Sequence, residues 1–263
     1  MCIRDRLTIL RTNLEDGLVR RGATAAYAAI LQSWNNIGAS MRNVSHHYDL
    51  DASLFRAFLD QDMHYSCAYF RSPDQPHEEA QSAKCDHIRK KLCLKPGQKV
   101  LDIGSGWGSL GLYLADKEDV QVTGLTLSNE QLAVANDEAV RRGLDNQVQF
   151  RLEDYRNHHG KYDAVVSVGM FEHVGLRNFD GYFTKVAELL SRDGVAMIHT
   201  IGHTDRPAAT NPWIRRHIFP GGYIPAISEI STAVERSPLV FADIEVWRQH
   251  YALTLKEWNH RFQ

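Results

Sequence analysis

No stretch of the 263 residues approaches the roughly 20-residue apolar run that a membrane-spanning helix requires. The opening residues, MCIRDRLTILR, alternate charged and apolar side chains without an uninterrupted hydrophobic stretch, which argues against a secretory signal. Cysteine is scarce. Cys2, Cys67, Cys85 and Cys93 fit neither a zinc-site spacing nor a disulfide framework, so no metal is expected and free thiols in a reducing cytosol are the simple reading. An excess of one charge is also missing. Thirty Lys and Arg stand against 32 Asp and Glu, for a net charge of −2, so there is no global drive toward nucleic acid or anionic lipid, and any such contact must be local. Internal repeats and low-complexity tracts are absent, which excludes solenoids and long linkers.

What remains is an ordinary globular composition, 43% hydrophobic and 24% charged, at a length that suits one α/β domain with appended helices. Residues 7–35 read as helical, with an Ala-rich patch at 23–29, and 36–43 as a connector. Residues 51–60 place Leu54, Phe55, Phe58 and Leu59 on a helical apolar face, and 81–92 read as a helix closed by Pro96-Gly97. From residue 97 to 201 strands and helices alternate. Strands are expected at 99–103, 120–127, 148–153, 162–168 and 195–201. Helices are expected at 109–116, from 129 to a C-terminal Gly143, and on a face of Tyr182, Phe183, Val186, Leu189 and Leu190 stopped near Asp193-Gly194. Ser128 offers an N-cap with Gln131 at the third position of a capping box. This alternation implies an α/β fold, a doubly wound, Rossmann-like parallel sheet covered on both faces.

The richest motif, VLDIGSGWG at 100–108, sits where the first strand turns into a helix, at the edge where open α/β sheets bind ligands. Gly104, Gly106 and Gly108 let backbone approach a ligand, although such turns also serve packing alone. The spacing G-x-G-x-G departs from the dinucleotide pattern G-x-G-x-x-G, and Thr126 stands where a nicotinamide enzyme usually carries an acid, which disfavours a dehydrogenase. Thr126 to Gln131 would face a ribose, and Asp154-Tyr155 an adenine. Taken singly these are caps and loop residues. Together, three loops on one sheet edge favour a nucleoside cofactor.

LDIGSGWGSL, VTGLTLSNEQ, EDYR, SVGMFEHVG and HTIGHTDRP, with HYDLDASLFRAFLDQDMHYSCAYF upstream, together resemble the cyclopropane-fatty-acyl-phospholipid synthase family, from about residue 46 to the end. The resemblance implies a class I methyltransferase domain at 46–263, preceded by a helical segment at 1–45. It implies S-adenosylmethionine as methyl donor and an unsaturated acyl chain of a membrane phospholipid as acceptor. By motif, Tyr65 and Ser66 line the cofactor pocket, Asp102, Gly104 and Gly106 hold the methionine end, Thr126 and Gln131 the ribose, and Asp154 and Tyr155 the adenine. The family's bicarbonate shell matches Cys67, Glu172, His199, Ile201 and Tyr251. Ser105 replaces the family's usual Cys. The chain stops within an expected helix that has no C-cap, where family members continue with helices that complete the acyl pocket, so an incomplete C-terminal lid is expected. The resemblance is compatible with a homodimer and with a cytoplasmic protein that touches the inner face of the membrane peripherally.

Methyl addition to an alkene leaves a carbocation, so the walls should be dry and aromatic. Tyr65, Tyr69, Phe70 and Phe171 are candidates, with ordinary core packing equally open for each. Glu172, after the fourth strand, is expected to take the ring-closing proton or to orient bicarbonate. His199 falls at a strand's carboxyl end, His173 reads as structural, and Tyr251 falls in HYALTL, read as a late strand. Cys67 has no adjacent base and is not read as a nucleophile. Residues 213–225 mix aromatics with Arg215, Arg216 and His217, which suits either a lipid-touching lid or a loop packed over the site. Two alternatives stay open. One is a related methyltransferase that makes methyl-branched lipid or acts on a mycolic acid or an amine. The other is a fragment that binds cofactor or lipid without catalysis.

Overall fold

The computed structural model describes residues 52–219 and 222–263. The helix expected at 7–35, the connector at 36–43 and Cys2 lie outside them. A short helix α1 (Ala52–Arg56) and a long helix α2 (His77–Leu92) precede the sheet. The sheet then alternates with helices: β1 (Lys99–Ile103), α3 (Ser109–Glu118), β2 (Gln121–Thr126), α4 (Asn129–Arg142), β3 (Val148–Leu152), β4 (Tyr162–Val168), α5 (Phe179–Leu189) and β5 (Leu190–His199). Three helices follow: α6 (Pro212–His217), α7 (Ile227–Glu235) and α8 (His250–Phe262). The five strands run parallel in the order β3-β2-β1-β4-β5, so the direction of winding reverses between β1 and β4. A crevice at the carboxyl ends of those two strands follows from that reversal.

Successive side chains of a strand point to opposite faces, and both faces are covered. Val100, Ala164 and Val166 pack beneath α2, α3 and α4 with Cys85, Ile88, Leu112 and Phe150. Leu101, Ile103 and Val165 pack on the other side against Tyr182, Phe183 and Val186 of α5 and Val234 of α7. This two-sided burial is why the central strands β1 and β4 read as nearly continuous apolar runs, whereas the edge strand β3 leaves Gln149 and Arg151 exposed. A third cluster joins Phe55, Leu59 and Met63 to Trp107 and to Trp258 of α8, which lays the segment before α2 over the β1–α3 loop.

The structure corrects several sequence readings. The helix expected at 51–60 is only Ala52–Arg56. Phe55 and Leu59 are buried but Leu54 is exposed, and beyond the helix the Asp60 carboxylate accepts the His64 N–H at 2.7 Å and turns the chain. Helix α2 begins at His77 behind Pro76, earlier than residue 81, and closes on Cys93 in the left-handed region, ahead of Pro96-Gly97. Helix α5 stops at Leu189, and Leu190 already pairs with Tyr162. Asp193-Gly194 marks a bulge inside β5, since Ala164 next pairs with Val195, and the strand ends at His199 short of residue 201. HYALTL is helix, not strand. Its one buried member is Thr254, and the next buried residue of the helix is Trp258, four residues on, a helical interval that continues past the apparent alternation. Among the described residues no helix is long and apolar enough to cross a membrane.

Candidate active site

At the end of β1 the backbone folds tightly over β2, and the N–H groups of Gly104 and Ser105 both donate to Leu125 O, at 3.0 and 2.8 Å. The glycines that follow divide the work. A Cβ on Gly106 (φ 53°) would meet nothing within 4 Å, whereas a Cβ on Gly108 (φ 86°) would lie 2.6 Å from the Phe150 ring. Gly108 is therefore a packing glycine, contrary to the sequence reading, and Gly106 is the one that leaves space for a ligand.

That space is a cavity of about 160 Å³ at the β1–β4 edge. Its walls include Tyr65, Ser66, Asp102, Gly104, Gly106, Thr126, Gln131, Asp154 and Tyr155, every residue expected to hold a cofactor. Asp102 is buried with Oδ2 unpartnered among the described residues, and burial pushes its carboxyl up to about 7. The Thr126 hydroxyl donates to Gln131 Oε1 at 2.8 Å and accepts the Ser128 N–H at 3.2 Å, while Ser128 Oγ accepts the Gln131 N–H at 3.2 Å. The Ser128 N-cap on α4 thus forms as expected, but the Gln131 side chain, expected to close a capping box, is turned toward Thr126 instead. Asp154 receives Arg156 through Nε at 2.9 Å and Nη2 at 2.6 Å, so its carboxylate is held by this guanidinium. Tyr155 packs edge-on to Tyr182 at 5.4 Å, and burial raises its hydroxyl to about 12. Tyr65 stacks on Trp258 at 5.3 Å.

None of the five residues expected around a bicarbonate is a wall of this cavity, although Met170 and His173, on either side of Phe171-Glu172, are. Glu172 is 1% exposed. Its Oε1 accepts the Ile201 N–H at 2.7 Å, and Oε2 has no partner among the described residues. Burial pushes this carboxyl up to about 7, with the Ile201 amide pulling the other way. Ile201 takes part through its backbone, and that donor is committed to Glu172. His199 Nδ1 is likewise unpartnered among the described residues. Burial depresses the imidazole to about 4, with a smaller push from Lys84, and the ring tilts against Trp247 at 4.8 Å. Burial raises the Tyr251 hydroxyl, and the neighbouring Tyr65, Glu172 and Cys67 raise it further, so these groups share one electrostatic neighbourhood. Cys67 is buried, its thiol is raised to about 11 by burial, and it donates to Ala68 O at 3.4 Å, all of which suits a packed thiol.

Of the four candidate cation-stabilising aromatics only Tyr65 lines the cavity. Phe171 is a core residue, 4.4 Å from Phe179 and 5.0 Å from Tyr182. Tyr69 is stacked between His87 and His250, and Phe70 tilts against His77. His173, read as structural, is a cavity wall. The sequence reading missed two further polar walls, His64 and Lys84. Lys84 follows Gln81 by three residues and precedes Ile88 by four, a buried helical row whose polar members were the available signal. Asp60, Asp62 and His64 bring ligand-type atoms within 4.8 Å of one another, but Asp60 is bonded to His64 and Asp62 to Arg142, so the cluster is read as a turn.

The profile of the family described as mycolic acid cyclopropane synthetase matches residues 36–263. The chain is 44% identical over 216 residues to a cyclopropane-fatty-acyl-phospholipid synthase of Escherichia coli (strain K12), covering 82% of this chain and 55% of that one. It is 41% identical over 227 residues to a probable fatty acid methyltransferase of Pseudomonas putida, covering 84% and 58%. The chain therefore spans little more than half the length of these curated relatives. Among solved structures, the mycolic acid cyclopropane synthase CmaA1, complexed with SAH and CTAB, superposes with a TM-score of 0.78 at 34% identity, covering 84% of this chain and 82% of that one.

Proposed function

The chain belongs to the mycolic acid cyclopropane synthetase family, and from that membership we propose that it transfers a methyl group from S-adenosylmethionine to the double bond of an unsaturated phospholipid acyl chain, closing a cyclopropane ring. The observation that carries this reading is Glu172, a buried carboxyl with one oxygen unpartnered among the described residues, at the same sheet edge as a cavity walled by all the expected cofactor residues.

The residues present fit the donor. The open face of Gly106 admits it, the unpaired Asp102 oxygen suits its α-ammonium, and Thr126 and Gln131 suit its ribose hydroxyls. When bound, S-adenosylmethionine supplies an electrophilic methyl on a sulfonium sulfur. The alkene's π pair forms the new C–C bond as the S–CH₃ pair returns to sulfur, and the other alkene carbon is left cationic. Glu172 then takes a proton from the transferred methyl, and that C–H pair closes the ring. A carboxyl near 7 is well matched to a base that works around neutral pH. Bicarbonate fits beside it only with Glu172 protonated, because a buried carboxylate and a second anion repel unless a cation lies between them. The exposed Trp213 of α6, with Arg215 and Arg216, suits a peripheral contact with the cytoplasmic face of the membrane.

The test is incubation with methyl-labelled S-adenosylmethionine and vesicles of monounsaturated phospholipid, followed by lipid mass spectrometry. The expected product gains one methylene and loses its alkene. A saturated methyl branch would identify the related product class, and unlabelled lipid would defeat the reading.

A further inference from the structure

We propose that Lys84 is the cation that recognises the carboxylate at the amino-acid end of the donor, an assignment that rests on S-adenosylmethionine occupying the cavity. Lys84 lies within α2, is 1% exposed and is a wall of the cavity. Its ammonium donates to Ser66 Oγ at 2.9 Å and to Gln81 Oε1 at 2.7 Å. Both acceptors are neutral, and an ammonium has three N–H donors, so one remains. A buried charge without an opposite charge is costly, so a missing anion is the natural complement. Asp60 and Cys85 attract it electrostatically, but both are bonded elsewhere. Asp60 spends its oxygens on the His64 N–H and Nδ1, each at 2.7 Å, and Cys85 Sγ faces His64 Nε2 at 3.2 Å.

The ammonium is held in a built setting. Gln81 is fully buried and accepts from Lys84 through Oε1, while its Nε2 donates to Ser66 O at 3.1 Å and His64 O at 3.4 Å. Helix α2 thereby fixes Lys84 against the same Tyr65-Ser66 segment that forms part of the cavity wall. On another wall stands Asp102 with its unpaired oxygen. A ligand that ends in an amino acid carries one cation and one anion, and two buried walls of the cavity are not hydrogen-bonded to an opposite charge: Asp102, for the α-ammonium, and Lys84, for the carboxylate, whereas the buried walls Asp154 and His64 are bonded to Arg156 and Asp60. Burial draws the Lys84 ammonium below its ordinary range, and a bound carboxylate would restore its proton.

The experiment is calorimetric titration of the native chain and of Lys84→Met with S-adenosylmethionine and with its decarboxylated form, which keeps the amine and the sulfonium. The native protein should prefer the carboxylated form by about 10- to 100-fold, the range of a hydrogen bond to a charged group. Lys84→Met should lose that preference while binding the decarboxylated form about as the native chain does. Equal losses for both ligands would mean that Lys84 only staples α2 to the Tyr65-Ser66 segment, and would overturn the assignment. A native chain that binds both forms equally overturns it without any variant, so the result stands even if Lys84→Met does not fold. A native chain that binds neither refutes the cavity reading itself, which is a different outcome from losing the preference.

Discussion

Glu172 carries opposite demands in the folded and unfolded chain. Unfolded, it titrates near its ordinary value of 4.5; folded, burial holds it near 7. Between those values the unfolded state has released a proton that the native state keeps, so stability falls as pH rises through this window. The completed loss is about 3 kcal/mol at 1.36 kcal/mol per unit. Glu172→Gln removes the titration and keeps the shape. Its melting temperature should match the native one near pH 4 and exceed it by about 5–10 °C near pH 8. A difference that stays flat with pH would show that the carboxylate ionises freely in the fold. Asp102 contributes with the same sign, and His199 with the opposite one, since an imidazole depressed to about 4 costs stability as pH falls below 6.5. Subtracting the native and variant curves cancels both. In the vesicle assay the same substitution should slow methyl transfer by about 10²–10⁴-fold, the usual worth of a general base, with donor affinity unchanged. The place of Glu172, just after β4, was legible in the sequence because a strand's carboxyl end is a place, and a motif marks it. Lys84 was not, because α2 also carries Lys90 and Lys91, and only the register against the sheet decides which ammonium turns inward.

At the scale of elements, the β1–α3 loop separates ligand glycines from packing glycines, and substitution can tell them apart. Gly106→Ala places a methyl in open space at φ 53°, a strain of about 1–2 kcal/mol. Gly108→Ala adds the same strain and also drives a methyl into Phe150 at 2.6 Å and Ala135 at 2.9 Å. The expected result is a crossed pair. Gly106→Ala melts a few degrees below native and loses about tenfold or more in donor affinity by calorimetry. Gly108→Ala loses more stability than Gly106→Ala. The division fails if Gly106→Ala binds the donor as tightly as the native chain. The strands of this loop's layer were readable because two-sided burial leaves a simple apolar run, and β1 and β4 fall at the expected residues. The late elements were blurred by local signals with a tertiary purpose. Asp193-Gly194 looks like a terminator but forms a bulge that re-registers β5. Tyr251, Leu253 and Leu255 look like a strand, because Thr254, the residue buried against Ala68, is polar and hides the helical period.

The described residues form a sheet domain whose ligand edge is closed by chain segments far apart in sequence. Thr254 accepts the Ala68 N–H at 3.0 Å, His250 Nδ1 accepts the Phe70 N–H at 2.9 Å, and Arg261 donates to Leu59 O at 3.1 Å. Helix α8 therefore holds in place the segment that supplies Tyr65, Ser66 and Cys67, a pairing that no local sequence pattern announces. On the proposed function the outer surface has a different task, because a water-soluble donor and an acyl chain would have to meet at this edge. A net charge of −2 gives the chain no general attraction to lipid, so contact has to be made by a local feature. Helix α6 is the feature proposed for it: Asn211 caps it by accepting the Trp213 N–H at 2.9 Å, Trp213 is 62% exposed, and Arg215 and Arg216 lie within the same two turns. An indole prefers the interfacial zone of a bilayer, and the two guanidiniums suit phosphate. The native chain should float with vesicles of unsaturated anionic phospholipid and be released as salt rises, because the arginine part is screened. Trp213→Ala should weaken binding about tenfold, the loss of roughly half the burial of a large apolar side chain, and should leave donor affinity as it was. If Trp213→Ala floats as well as the native chain, α6 is a loop packed over the site and the lipid-facing surface lies elsewhere.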